Sequence, residues 1–207
     1  MDTAGITQPS QLTGKGRATK NRIVRAAAAL MYEHGVASTS TEEIRRAAGV
    51  SNSQLYHYFA DKDELIRAVT ADQIERVLAG QEELLDGLDS FAALETWRDT
   101  IVGIAARQSG RGGCPIGSLA SELADLDEQA RIALAGAFDR WEGAMRDGLT
   151  AMRERGELRQ DTDTDRLAIS LLIALQGGLL LTQTRRDSAP LQAGLDGAID
   201  YVRKFAA

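Results

Sequence analysis

Residues 39–65 read TSTEEIRRAAGVSNSQLYHYFADKDEL, and three helix starts follow one another within them. Ser40-Thr41-Glu42-Glu43 is a capping box: the Ser40 hydroxyl accepts from the N–H three residues on, and Glu43 reaches back to the cap. Ser51-Asn52-Ser53-Gln54 repeats the device, and Asp61-Lys62-Asp63-Glu64 offers a third start with Asp61 as cap. Ile44, Ala47 and Ala48 turn inward, and Gly49 stops their helix. The spacing predicts helices over 41–48, 52–58 and 62–79. Gly49-Val50-Ser51 joins the first two, and two short helices joined by such a Gly-containing turn form a helix-turn-helix.

Upstream, Ile23, Ala26, Ala27, Leu30 and Met31 recur at three- and four-residue steps, which predicts a helix from about Ala18 to His34, closed by Gly35. Residues 1–16 are polar and are expected to form a flexible basic tail. Residues 1–11 lack the apolar core of a signal peptide. Downstream the pattern stays helical. Phe91, Leu94, Trp97, Ile101 and Ile104 mark one helix, and Pro115 opens a short one that runs to about Leu123. Ile132, Leu134, Phe138, Trp141, Met145, Leu149 and Met152 mark a long one ending at Gly156. Residues 167–181 are almost wholly apolar, and Pro190 opens a last helix with Leu191, Leu195, Ile199 and Val202. No alternating strand pattern occurs. The expectation is an all-α chain of about nine helices: a tail over 1–16, a three-helix helix-turn-helix domain over 17–68, and a larger helical regulatory and dimerisation domain over 69–207.

Composition narrows the class. The chain has 207 residues, 43% hydrophobic and 26% charged, the balance of a globular protein. The single cysteine, Cys114, excludes an internal disulfide framework and a Cys-rich zinc site, and it fits a cytoplasmic protein. The apolar run 167–181 is shorter than the roughly 20 residues that span a bilayer, so it predicts a buried helix and no membrane partner. The net charge of −6 is unevenly spread: residues 1–68 carry +2 and residues 69–207 carry −8. Lys15, Arg17, Lys20, Arg22 and Arg25 concentrate the positive charge near the start. A small basic end on an acidic body points to DNA or a membrane surface, against the plainer reading of a solvated helix face.

On a helical wheel Leu55 points inward, Ser53 and His57 lie almost opposite it, and Gln54 and Tyr56 flank them. Asn52, Tyr58 and Phe59 lean toward the core side. The outward face is short, polar and hydrogen-bonding, suited to a major groove. Gln54 can pair with adenine, and His57 with a base edge or a phosphate. Thr41, Ser51, Tyr56 and Lys62 are placed for phosphates, and Lys15, Arg17 and Lys20 for phosphate or minor-groove contacts. The candidate DNA-binding set also includes Asn52, Ser53 and Tyr58.

These residues resemble the TetR family of bacterial regulators. The likeness lies in Gly49-Val50-Ser51, the Leu55-Tyr56 pair, the aromatic cluster ending at Phe59, and Lys62 before an acidic turn. It covers roughly residues 17–70. Asn52 and Ser53 stand where family members often carry Lys and Gly, which removes one phosphate-binding charge. The segment GGCPIGSLASEL, residues 112–123, is similar to the regulatory domain of LmrA-type drug-responsive members. The resemblance implies a homodimer that pairs through its two C-terminal helices, a double-stranded DNA operator, a small-molecule effector and a repressor released by that effector. It implies no cofactor. The residues alone leave the apolar helix 167–181 either as dimer surface or as monomer core.

Candidate effector contacts are Trp97, Ile101, Cys114, Phe138, Trp141, Leu175 and Gln176, each also readable as plain core. Gln176 has three readings: a ligand contact, a bond to a partner helix, or a bond to the Gly177-Gly178 backbone. Cys114, ahead of a helix start and near Arg107 and Arg111, is either a thiol switch or an inert buried residue. The −8 charge of this half mildly favours neutral or cationic ligands. An enzyme is not expected. His34 and His57 are the only histidines, no Gly-x-Ser-x-Gly or His-Glu-x-x-His occurs, and Ser118-Leu119 stands where a phosphate loop needs Lys-Ser/Thr. Asp161, Asp163 and Asp165 read as a helix cap with solvated charge, not a metal site. The remaining alternative is a ligand- or protein-binding helical module without sequence-specific DNA binding.

Overall fold

A computed structural model describes residues 13–207, which form ten helices and no strand. Residues 1–12, most of the expected tail, lie outside the described residues. Two compact units divide the chain, Met1–Val69 and Thr70–Ala207.

In the first unit, α1 (Gly14–His34) starts about four residues before the expected Ala18, because Thr13 caps it by accepting from the Gly16 N–H at 3.1 Å. Lys15 therefore sits in helix, not tail. α2 (Thr41–Ala48) and α3 (Asn52–Tyr58) have the expected bounds, and both capping boxes form in full. Gly49 closes α2 with φ 62°, a left-handed backbone that costs other residues energy and that makes the sharp turn between the two helices. α4 (Lys62–Ala79) begins with the Glu64 N–H donating to Asp61 at 2.7 Å. Here the reciprocal bond is displaced: Glu64 accepts from the Ala60 N–H, one residue before the cap. Ile23, Ala27, Met31, Ile44, Leu55, Phe59 and Leu65 form the small core.

In the second unit, α5 (Glu82–Asp86) is the helix the sequence pattern missed. It is little more than one turn, its Gln81 cap makes no side-chain bond, and burial of Leu85 rather than local propensity holds it. α6 (Phe91–Arg107), α7 (Pro115–Leu123), α8 (Glu128–Glu154), α9 (Thr164–Arg185) and α10 (Ala189–Arg203) complete the unit. Along α8 the buried stripe is Leu134, Ala137, Trp141, Met145, Leu149 and Met152. Ile132, counted in that stripe by its spacing, is exposed, and Phe138 is half-buried. The inward face of this end of α8 is set by Ala130, at 1% exposure, and Leu134, and Ile132 falls between them on the outer side.

α9 is longer than its apolar run, and Asp163 caps it by accepting from the Arg166 N–H at 3.0 Å. Among the described residues it is the one helix long and apolar enough to cross a membrane, with a mean hydropathy of 1.6. It packs against α8 and α10. At Gly178 an added Cβ would meet the Leu191 Cα at 2.9 Å, so the missing side chain lets α10 close onto α9. Gly177 faces open space. The expected buried helix is therefore buried on one side only: Ile169, Ile173, Leu180 and Leu181 are exposed.

Candidate nucleic-acid interface and effector cavity

α3 presents its side chains in two groups. At its N-terminus, Ser51 accepts from the Gln54 N–H at 3.2 Å and pairs with the Ser53 hydroxyl at 3.0 Å, while Gln54 Oε1 accepts from the Ser51 N–H at 3.0 Å. Gln54 thus has one oxygen lone pair committed to the cap, and its amide nitrogen remains for a base. Further along, Tyr56 and His57 are exposed, with the His57 ring edge-on to Tyr58 at 4.9 Å between centroids. Asn52 is exposed rather than turned to the core, because it occupies the first turn above the buried Leu55.

The basic residues around α3 are partly engaged. The Lys62 ammonium donates to the Val36 carbonyl at 3.1 Å, which ties the start of α4 to the loop after α1. The Lys20 ammonium lies 5.3 Å above the Phe59 ring, and Arg22 donates to the Ala48 carbonyl at the end of α2. Thr41 is half-buried at the start of α2, and Lys15 and Arg17 are exposed on the first turn of α1. Glu43 is held below the usual carboxylate range by its bonds to the Ser40 side chain and backbone, which keeps the capping box charged at neutral pH.

The second unit contains a cavity of about 130 Å³. Val77, Gly80 and Gln81 from the end of α4 and the turn after it form one wall with Leu84 of α5; α6, the loop 108–114, α7, α8 and α9 contribute the rest. Of the seven expected effector contacts, Ile101, Cys114, Trp141 and Leu175 line it. Trp97 is fully buried elsewhere, Phe138 lies on the outer part of α8, and Gln176 sits behind the wall, with its Oε1 2.9 Å from where a Gly117 Cβ would lie. The sequence reading missed Gln81 and Thr182. Thr182 follows the apolar run at the end of α9, and nothing in the local pattern distinguishes it from a solvated helix end. Gln81 lies in the turn before the missed α5.

Cys114 caps α7, its sulfur accepting from the Gly117 N–H at 3.4 Å. Burial pushes the thiol pKa up, and the Gly117 N–H and Gln176 only partly oppose this. The thiolate is the nucleophile, so native Cys114 should react with iodoacetamide at least about tenfold more slowly than the unfolded chain. Because the folded value is raised, that gap narrows as pH climbs through it. Mass-spectrometric labelling at pH 8 checks this, and equal rates would show the thiol to be open.

Residues 23–69 match the family model described as bacterial regulatory proteins, tetR family, and residues 91–197 match the Tetracyclin repressor-like C-terminal domain. The chain is a TetR-family transcriptional regulator. Transcriptional regulator AcuR of Cereibacter sphaeroides is 30% identical over 176 residues, covering 83% of this chain and 79% of that protein. An HTH-type regulator of Lactococcus lactis from the lacX 3' region is 30% identical over 186 residues, covering 87% and 91%. Among solved structures, a TetR transcriptional regulator from Chloroflexus aurantiacus superposes with a TM-score of 0.80 at 27% identity, over 94% of this chain and 98% of that one. Regulatory protein TetR from Rhodobacter sphaeroides gives 0.76 at 25% identity, over 88% and 98%. TetR-family regulators bind DNA operators and act as dimers. In this TetR-family chain the helix-turn-helix is α2–α3, and most of the cavity lining belongs to the matched C-terminal domain, while Val77, Gly80, Gln81 and Leu84 precede it.

Proposed function

We propose that the protein is a cytoplasmic homodimeric repressor that a small molecule releases from a palindromic operator, and that it carries out no catalysis. The observation that carries this reading is α4: one continuous helix starts at Lys62, beside the recognition helix, and ends at Val77–Ala79, where Val77 lines the cavity. A molecule that fills the cavity and displaces Val77 acts on the helix that anchors the DNA-binding unit. It shifts the protein away from the operator-binding state only by its differential affinity for the two states. In a dimer the two α3 helices read half-sites about 34–36 Å apart. The exposed α9 stripe, with the small Ala193 and Gly197 of α10, supports pairing through the two C-terminal helices.

The test is a genome-fragment pull-down followed by footprinting at two salt concentrations. The reading requires a protected inverted repeat with steep salt dependence. In a folded dimeric sample, the absence of sequence-selective protection would favour the helical-module alternative.

Base-reading residues are then separated from positioning residues. His57→Ala is expected to weaken operator binding by about 1–3 kcal/mol and random-sequence binding by much less. Equal losses on both DNAs would reassign His57 to a phosphate. Gln54→Ala removes a base contact and half of the α3 capping box, so its loss should exceed that of His57→Ala and include about 1 kcal/mol of stability. A Gln54→Ala protein with wild-type thermal stability would show that the Gln54 half of the box contributes nothing.

A further inference from the structure

Six buried side-chain polar atoms among the described residues lack a hydrogen-bond partner, and three of them belong to residues lining one cavity: Gln81 Oε1, Trp141 Nε1 and Thr182 Oγ1. Trp141 and Thr182 are almost fully buried, at 1% and 2% exposure. A buried polar atom left unpaired costs free energy that an occupant can recover. The three differ in kind. The indole nitrogen only donates, the amide oxygen only accepts, and the threonine hydroxyl does both. The other cavity walls are mainly apolar, with Ile101, Leu175 and Leu179 among them.

We propose that this cavity takes an uncharged, compact molecule with an apolar body about the size of a benzene ring and one hydroxyl-type group. That group donates to Gln81 Oε1 and accepts from Trp141 Nε1–H or Thr182. The assignment rests on the reading of the cavity as the effector site. Its size follows from the volume, since an apolar cavity of about 150 Å³ accommodates benzene. Its neutrality follows from the lining. Among the described residues no carboxylate lines the cavity to pair with a cation, and the one cationic residue lining it, Arg111, is exposed. A buried carboxylate would face the Gln81 oxygen and lose its hydration without a buried counter-charge. The acidic surface of this half, which by net charge tolerates cationic ligands, does not extend into the cavity.

The experiment titrates the wild-type dimer by calorimetry with phenol, toluene, benzoate and benzylamine. In parallel, Trp97→Phe leaves Trp141 as the sole tryptophan, whose emission then reports occupancy of the cavity. Phenol is expected to bind saturably and at least about tenfold more tightly than toluene, because toluene leaves the polar atoms unpaired. Benzoate and benzylamine are expected not to bind. Thr182→Val, which swaps the hydroxyl for a methyl, should weaken phenol and leave toluene unchanged. Benzoate or benzylamine binding as well as phenol overturns the uncharged class, as does toluene matching phenol or no response to any of the four. Phenol that binds as expected but leaves the operator footprint unaltered keeps the class and overturns the effector reading instead.

Discussion

An Ile173→Lys/Leu180→Lys double variant is expected to sediment as a monomer and to lose operator affinity by about a thousandfold or more. Ile173 and Leu180 are each 63% exposed, and with Ile169 and Leu181 they lie along one stripe of α9 beside the open Gly177. Steps of four, four and three residues keep Ile169, Ile173, Gly177 and Leu180 on one face. Such a stripe left in water forgoes about 25 cal/mol for each Å² that association would bury. A lysine at its centre would have to be desolvated without a counter-charge, which costs far more than the contact gains. Loss of the dimer removes one recognition helix from the operator, and specific binding is about 10³–10⁷ tighter than non-specific binding. Both side chains already face solvent, so the helical circular dichroism of the subunit should be unchanged. Analytical ultracentrifugation decides it: a variant that stays dimeric at wild-type affinity would move the interface off α9.

The same helix shows how far the sequence could be read. Its apolar composition announced that it needs cover, and the helix bounds of α2, α3, α4 and α7 were legible because each is set by a local device: a cap, a capping box, a Gly or a Pro. Which face of α9 meets α10 was not legible, because it depends on the fit of Gly178 under Leu191 of the next helix, a contact no local pattern announces. α5 was missed for the same reason, since tertiary burial of Leu85 stands in for a cap. Four of the seven effector candidates line the cavity because large inward-facing residues on α6, α8 and α9 converge there. Trp97 looked equivalent, yet it faces a filled core. The polar members Gln81 and Thr182 carry no periodic signal at all. In the DNA-binding unit, residue types proposed separately for DNA contact prove to be bonded to the protein as well. Lys62 reaches Val36 and Gln54 reaches Ser51, so their positions are fixed before any DNA arrives.

That interlocking makes the first unit sensitive to its core, and Phe59→Ala is expected to unfold it while the second unit stays folded. Phe59 is 2% exposed at the end of α3, with the Lys20 ammonium over its ring. Removing a buried phenylalanine side chain costs about 3–5 kcal/mol. A unit bounded by Met1–Val69 has a small core, and at about 0.05–0.15 kcal/mol per residue that loss takes from about a third to all of its stability. The cation–π contact is lost with the ring, and the recognition helix loses the anchor at its C-terminal end. α3 is only seven residues long, too short to persist without tertiary support. DNA binding should therefore disappear on specific and random sequences alike, unlike the selective loss expected for His57→Ala. Limited proteolysis should cut within α1–α3 and leave a resistant fragment that begins near Thr70 and still dimerises. A variant that keeps its full helical signal and binds the operator within tenfold of wild type would show that Phe59 is not the keystone. Simultaneous loss of both units would instead mean that α4 couples them into one cooperative structure. In that case a molecule in the cavity would act on DNA binding through the stability of the whole chain rather than through the placement of α4.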